Sequence, residues 1–351
     1  MLSMVRLALF RNHKALQLAF DGRPVAIWGP NGAGKTNILE AVSLLSPGRG
    51  LRRAATEDIG RRPDAVGWKV AAVLDGHEVE TWAEDAGRQV RIDGKATTQA
   101  AMGMLARVVW LVPAMDRLWI EAPEGRRRFL DRLVLSLHAG HAEATLEYER
   151  AMRERNRLLK DQVQDAGWYG AIEARMVDAG ARITAARADV VGRLQAAQVD
   201  GAFPAAALDL DAGEGADDLA AALVAGRRRD MAAGRTLAGP HRADLRAVWA
   251  AKGMPAAQCS TGEQKALLIS LILASARIAA ADLGKPPLIL LDEVAAHLDP
   301  GRRAALYDEI SALGAQAFLT GTEAGLFDSL GQRAQGFAVA EGGGVSEVAL
   351  T

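Results

Sequence analysis

Gly29-Pro30-Asn31-Gly32-Ala33-Gly34-Lys35-Thr36 is the stretch on which the fold turns. It follows a short apolar run at 25–28 and opens a segment, 35 to about 45, with apolar residues at helical spacing. G-x-x-x-x-G-K-[ST] between a strand and a helix is a phosphate-binding loop. Its glycines let the backbone wrap, so that successive N–H groups and the helix N-terminus face anionic oxygens. Gly29, Pro30, Asn31, Gly32, Ala33, Gly34, Lys35 and Thr36 are therefore expected to bind ATP. Lys35 would reach the β- and γ-phosphates, and the Thr36 hydroxyl would bind Mg2+. A ligand-free Gly-rich turn is the bland alternative, and the flanking strand and helix argue against it.

Leu288-Ile289-Leu290-Leu291-Asp292-Glu293 supplies a partner for this loop. Four apolar residues in a row suit a parallel strand buried on both faces. Such a strand delivers Asp292 to the carboxyl end of its sheet, where open α/β folds hold ligands. Asp292 is expected to hold Mg2+ through its water shell, and Glu293 to orient or deprotonate an attacking water. Lys35, Asp292 and Glu293 form the expected catalytic set.

Ser260-Thr261-Gly262-Glu263-Gln264-Lys265 resembles the signature motif of ABC ATPases, in the short form found in SMC-like proteins. At the start of a helix, Ser260 and the Gly262 backbone could donate to a γ-phosphate. In ABC proteins that phosphate sits on the opposing subunit, so Ser260, Thr261, Gly262, Glu263 and Gln264 would act in trans. An ordinary helix cap, Ser followed by an acid, is the alternative. Ala296-His297-Leu298-Asp299 resembles the D-loop, in which Asp299 would couple the two sites of a dimer. Where many ABC proteins place a γ-phosphate-sensing His, this chain has Thr320-Gly321-Thr322, making Thr320 or Thr322 the switch position.

The chain has 351 residues, 50% hydrophobic and 24% charged, enough for a large core and about two domains. Lys and Arg number 42 against 43 Asp and Glu, a net charge of -1. Any DNA contact must then come from local patches or be switched by a ligand. A lone Cys259 excludes an intramolecular disulfide, and no Cys/His cluster is spaced for zinc. The N-terminal apolar run is short and broken by Arg6, unlike a signal peptide. No span of about 20 uninterrupted apolar residues is present to cross a membrane. A cytoplasmic location without membrane partners is expected.

Patterning divides the chain in three. Residues 1–112 alternate short apolar runs and turns, with a β-meander at 66–74, 79–84 and 89–92 and a buried strand at 108–112. Residues 113–235 turn helical and charged, and two apolar stripes suggest an antiparallel helical hairpin bent near Gly167. Residues 204–215 read as a loop before a last helix. At 236–351 the α/β pattern returns, with strands at 245–249, 288–291 and 316–320 and helices from Thr261 and over 302–313.

Phe10-Arg11-Asn12-His13, GKTNILEA at 34–41, SPGRGLR at 46–52, PAMDRL at 113–118, RRRFLDRL at 126–133, GPHRADL at 239–245 and CSTGEQKALLIS at 259–270 together resemble the RecF family. The resemblance covers almost the whole chain. It implies an α/β, ABC-type (P-loop) ATPase head carrying a β-meander and an inserted α-helical arm domain. It also implies an ATP-dependent homodimer with two nucleotides at its interface, slow hydrolysis with Mg2+, and binding to double-stranded DNA near single-strand gaps. RecO and RecR would be partners in helping RecA replace single-strand-binding protein. Two positions depart from the family pattern: Asp116 stands in the region that lacks the ABC Q-loop glutamine, and Glu121 where a glycine is frequent. An ABC transporter subunit would carry a much smaller insert between Thr36 and Asp292. An SMC-like defence ATPase that drives a nuclease would need a further domain with clustered acids.

Arginine clusters occur at Arg49, Arg52 and Arg53, at Arg61 and Arg62, at 126–128, at Arg150, Arg153, Arg155 and Arg157, and at 227–229. Arg49, Arg52 and Arg53 are the expected DNA contacts, in a salt-dependent mode indifferent to base sequence. For the remaining clusters, solvated helix faces paired with nearby acids are the simpler reading. No stacking platform for bases is visible.

Overall fold

The computed structural model describes residues 1–62, 67–84, 87–342 and 345–351. Chain order begins with strands β1 (Leu2–Phe10), β2 (His13–Ala19) and β3 (Val25–Trp28), helix α1 (Lys35–Ser43) and strands β4 (Lys69–Leu74), β5 (His77–Glu84), β6 (Gly87–Ile92) and β7 (Lys95–Thr97). Helix α2 (Gln99–Leu105), strand β8 (Val108–Leu111), helices α3 (Pro123–Leu137), α4 (His141–Lys160) and α5 (Ala166–Ala197), strand β9 (Ala206–Asp211) and helix α6 (Leu219–Ala233) follow. The remainder comprises β10 (Asp244–Trp249), β11 (Met254–Pro255), α7 (Thr261–Leu283), β12 (Leu288–Leu291), α8 (Pro300–Ala312), β13 (Gln316–Gly321), β14 (Gln335–Gly342) and β15 (Val345–Leu350). The start of the strand expected at 66–74 and the glycines at 343–344 lie outside the described residues.

Contacts divide the chain into two units: Met1–Asp116, Ala197–Pro204 and Ser260–Thr351 form one, and Arg117–Ala196 with Ala205–Cys259 the other. The first, here called the head, contains two six-stranded sheets. One is antiparallel, in the order β2-β1-β4-β5-β6-β7, so the expected meander is extended by the N-terminal hairpin. The other runs β15-β14-β3-β13-β12-β8, parallel except for β15. Its strands β8, β12 and β13 are buried at every residue, as a sheet covered on both faces requires. The register sets Leu291 beside Leu111 and Leu319, and Thr320 beside Ile27. Asp292 therefore emerges close to the loop that follows β3.

The head's core joins Leu2, Val5 and Val70 to Ile38, Leu39, Leu288, Leu290 and Phe318. Phe20 meets Phe318 and Phe337 edge-on, at 5.1 and 5.8 Å between ring centres. Each such side chain contributes about 1.5–3 kcal/mol by leaving water. Helix α7 is long and apolar enough to cross a membrane by length and composition. Its residues from Gln264 to Ala276 are buried within the chain, which is the character of a core helix.

The second unit holds α3–α6 and a three-stranded antiparallel sheet, β11-β10-β9. The two expected stripes meet here: Tyr148 and Ala151 of α4 pack with Ile172, Met176, Ala179 and Ile183 of α5. Two expectations require correction. The stretch at 204–215, read as a loop, contains strand β9, which pairs with β10 from Asp244↔Asp211 to Trp249↔Ala206. That pairing also draws residues 236–259 into this unit, so the second head segment starts at Ser260 rather than at 236. Ala and Asp are poor strand formers, and the β9 strand exists because a partner strand lies beside it.

Candidate nucleotide site

The loop after β3 is shaped by close backbone approach. A Cβ on Gly29 would lie 2.0 Å from the Val339 carbonyl oxygen of β14, and one on Gly34 2.4 Å from Ser346 Oγ. Gly34 also has φ 103, a region that only glycine enters at low cost. Side chains from outside the loop hold its carbonyls. Asn12 Nδ2 donates to Gly32 O at 3.5 Å, Ser346 Oγ to Ala33 O at 2.5 Å, and His13 Nε2 to Gly34 O at 3.3 Å. Lys35 Nζ donates to Gly29 O and Pro30 O, at 2.7 and 2.8 Å. The C=O and N–H of a peptide point to opposite sides. The N–H groups of Gly34 and Lys35 therefore turn away from Ser346 and His13.

His13 is buried, and burial holds its ring below the ordinary histidine range, partly opposed by the Gly34 carbonyl. The neutral ring with its proton on Nε2 is the form that can donate to that carbonyl. Asn12 and His13 form part of the family-like run at 10–13, but nothing in that run indicates which loop they support. Ser346 carries no sequence signal at all.

The acidic pair meets this loop. Thr36 Oγ1 lies 2.9 and 3.1 Å from the two Asp292 carboxylate oxygens, and Thr320 Oγ1 donates to Asp292 Oδ1 at 2.8 Å. Burial lowers the Lys35 ammonium from its ordinary value, while Glu293 and Asp292 raise it. Three expected catalytic groups are thus brought within electrostatic reach of one another. A hydroxyl and a carboxylate at the mouth of a phosphate loop fit Mg2+, which takes few protein ligands and keeps waters and phosphate oxygens.

Helix α1 is tied down beside the loop. Arg11 grips Glu40 with two bonds, at 2.8 and 2.6 Å, and Arg52 reaches Glu40 at 3.0 Å and Asn37 at 2.6 Å. Arg52 is thus bonded to the loop's own helix through one nitrogen while its side chain stays exposed. Arg49 is exposed on the turn after α1, and Arg53, also exposed, has φ 55.

Ser260, Thr261 and Gly262 are exposed, whereas Gln264 is buried and cannot reach outward as the in-trans set expected. The helix cap weighed as an alternative is present. Ser260 Oγ accepts from Glu263 N at 3.4 Å, and Glu263 Oε2 accepts from Ser260 N at 2.8 Å. The Ser260 hydroxyl also donates its single proton to Glu263 Oε2 at 3.0 Å, so it reaches another acceptor only by exchanging that bond. Asp299 accepts from Arg302 N at 2.9 Å at the start of α8, and that bond holds its exposed carboxyl below the ordinary range. Of the two switch candidates, Thr322 is exposed and Thr320 is buried against Asp292.

In the second unit the arginine clusters are largely structural. Arg126 makes two bonds to Asp244, at 2.7 and 2.9 Å. Arg155 is 0% exposed, bonded to Glu173 at 3.0 Å, Asp230 at 2.6 Å and Thr236 at 2.9 Å. It is therefore neither the solvated helix-face residue expected for its cluster nor accessible to DNA. The run at 239–245 is a hub within this unit. Tyr148 Oη donates to His241 Nδ1 at 2.9 Å, and Arg187 and Arg127 donate to the carbonyls of Pro240 and Ala243 at 2.6 and 2.8 Å.

A profile of the RecF/RecN/SMC N terminal domain matches residues 1–343. The DNA replication and repair protein RecF of Rhizobium johnstonii is 48% identical over 369 residues, covering 97% of each chain. That of Mesorhizobium japonicum is 48% identical over 367 residues, covering 97% of this chain and 96% of its own. The solved recombination mediator protein RecF-ATPrS of the RecFOR pathway superposes with TM-score 0.84 at 22% identity, covering 99% of this chain and 98% of that one. Homology along nearly the full length, together with a phosphate loop, acidic pair and capped signature helix in one head, places this chain in the RecF family of SMC-like, ABC-type ATPases.

Proposed function

We propose that this protein is an ATP-dependent DNA clamp. It dimerises on ATP, binds double-stranded DNA beside single-strand gaps without reading sequence, and promotes RecA loading with RecO and RecR in the cytoplasm. The convergence of Lys35, Thr36, Asp292 and Glu293 at the edge of one parallel sheet carries this reading.

On ATP binding, Lys35 exchanges the carbonyls of Gly29 and Pro30 for the β- and γ-phosphate oxygens. The N–H groups of Gly34 and Lys35 bind phosphate from the helix N-terminus. Thr36, and Asp292 through water, would hold Mg2+, which would supply charge neutralisation at the phosphate oxygens. A second copy closes the site with Ser260 Oγ and the Gly262 N–H, and Asp299 lies at the seam between the copies. Glu293 takes the proton of the attacking water as its oxygen bonds to the γ-phosphorus and the β–γ bridge breaks, leaving ADP and phosphate. Hydrolysis is slow and resets the clamp. Arg49 and Arg53, on the turn after α1, contact DNA phosphates.

Sedimentation with and without ATP and gapped DNA tests this. Glu293→Gln should accumulate as an ATP-bound dimer retained on gapped DNA. A Glu293→Gln profile unchanged by ATP overturns the clamp.

A further inference from the structure

We infer that Thr320 is a positioning residue for hydrolysis, its hydroxyl holding Asp292 and Glu293 in their working arrangement; this rests on the roles proposed above for those two acids. Thr320 occupies the penultimate position of β13, the strand between β3 and β12, and is 0% exposed. Its hydroxyl donates to Asp292 Oδ1 at 2.8 Å and accepts from Glu293 N at 2.8 Å. One small group thus spends its single proton on one acid and a lone pair on the backbone of the next.

The second bond falls at a conspicuous place. Glu293 has φ 54, in the left-handed region that a side chain longer than glycine's enters only when its surroundings over-determine it. Thr320 is one such determinant, since it fixes the N–H on which that turn begins. The first bond gives Asp292 a protein-side anchor. Thr36, its other hydroxyl donor, faces the nucleotide loop and must also serve the metal. A histidine at this position would offer a charge to the γ-phosphate; Thr320 instead acts backwards, onto the acids.

Thr320→Val preserves shape but removes both bonds, whereas Thr320→Ser keeps the hydroxyl. Two measurements on the full-length protein separate the roles: steady-state ATP turnover with gapped DNA, and the Mg2+ midpoint for equilibrium binding of a fluorescent ATP analogue. Thr320→Val is expected to lower kcat by about 10–100-fold with little change in KM, and to raise the Mg2+ midpoint several-fold, the scale of losing a group that orients a metal ligand. Thr320→Ser should stay near wild type in both. Thr320→Val with wild-type kcat and Mg2+ midpoint overturns the inference, as does a Thr320→Ser loss equal to that of Thr320→Val. Thr320→Ala, judged by the same criteria, replaces Thr320→Val should the latter not fold. Equal turnover by wild type and Glu293→Gln would instead sink the parent assignment of Glu293, and the Mg2+ binding comparison would still judge Thr320.

Discussion

Lys265, in the first turns of α7, donates from Nζ to Asp116 Oδ2 at 3.1 Å. Lys265 is buried, and Asp116 lies in the region after β8 that lacks the ABC Q-loop glutamine. The helix that begins at the exposed Ser260 is thereby tied to the segment leaving β8, all within the head. Lys265→Met should destabilise the head by about 2 kcal/mol, because the Asp116 carboxylate is left without its counter-ion at a half-buried position. Lys265→Met combined with Asp116→Leu should recover most of that loss in chemical denaturation. A double variant no better than the single one would show that the pair is not coupled.

Ser260 separates nucleotide binding from assembly. Ser260→Arg adds bulk and charge at an exposed helix start. ATP affinity of the monomer should remain within about twofold of wild type, as for a surface change, while ATP-dependent dimerisation is lost. Equilibrium binding of a fluorescent nucleotide and light scattering measure the two. A Ser260→Arg protein that still dimerises with ATP refutes the in-trans role.

Arg155 is expected to matter for stability and not through contact with DNA. Arg155→Met strands Asp230, which is 1% exposed, while Glu173 keeps its pair with Arg227 at 2.6 Å. Removing one member of such a buried set typically costs about 3–5 kcal/mol. Urea unfolding should show that loss, and a neutral effect would mean that the network is already solvated. Arg157, exposed on the same helix, serves as the control, with a change of about 0.5 kcal/mol or less.

Acid should weaken the second unit through His241. Burial pushes its ring down to about 4 from the ordinary 6.5, with Arg242 and Arg127 adding to the effect and the bond to the Thr236 carbonyl opposing it. With the folded value depressed, the unfolded chain binds the extra proton. This contribution is complete above pH 6.5 and declines as pH falls toward 4. His241→Gln cannot titrate, so the stability advantage of wild type over this variant should shrink between pH 7 and pH 5. An advantage that stays constant across that interval would contradict a neutral buried ring.

The nucleotide site was legible because its chemistry demands contiguous residues. A backbone cradle for phosphate must be built from neighbours in sequence, so Gly29 to Thr36 declares itself, and so does the apolar run that ends in Asp292-Glu293. The side chains that shape the cradle leave no such trace. Asn12, His13 and Ser346 reach it from opposite ends of the chain, and Thr320 looked like a phosphate sensor until its partner was known. The arm shows the same divide: its two apolar stripes have a period that can be read directly, whereas β9 is a strand only because β10 runs beside it.

What the sequence determined by itself is local: the phosphate loop, the buried β12 strand, the helix cap at Ser260 and the stripes of α4 and α5, all encoded by periodicity or by turn chemistry within a few residues. Tertiary structure alone decided which hydroxyl holds Asp292, that Arg155 is buried, that Arg52 is bonded to α1, and that residues 236–259 join the second unit. Each of these depends on contacts between residues far apart in the chain, and side-chain identity does not state which distant partner will satisfy a hydrogen bond or a charge.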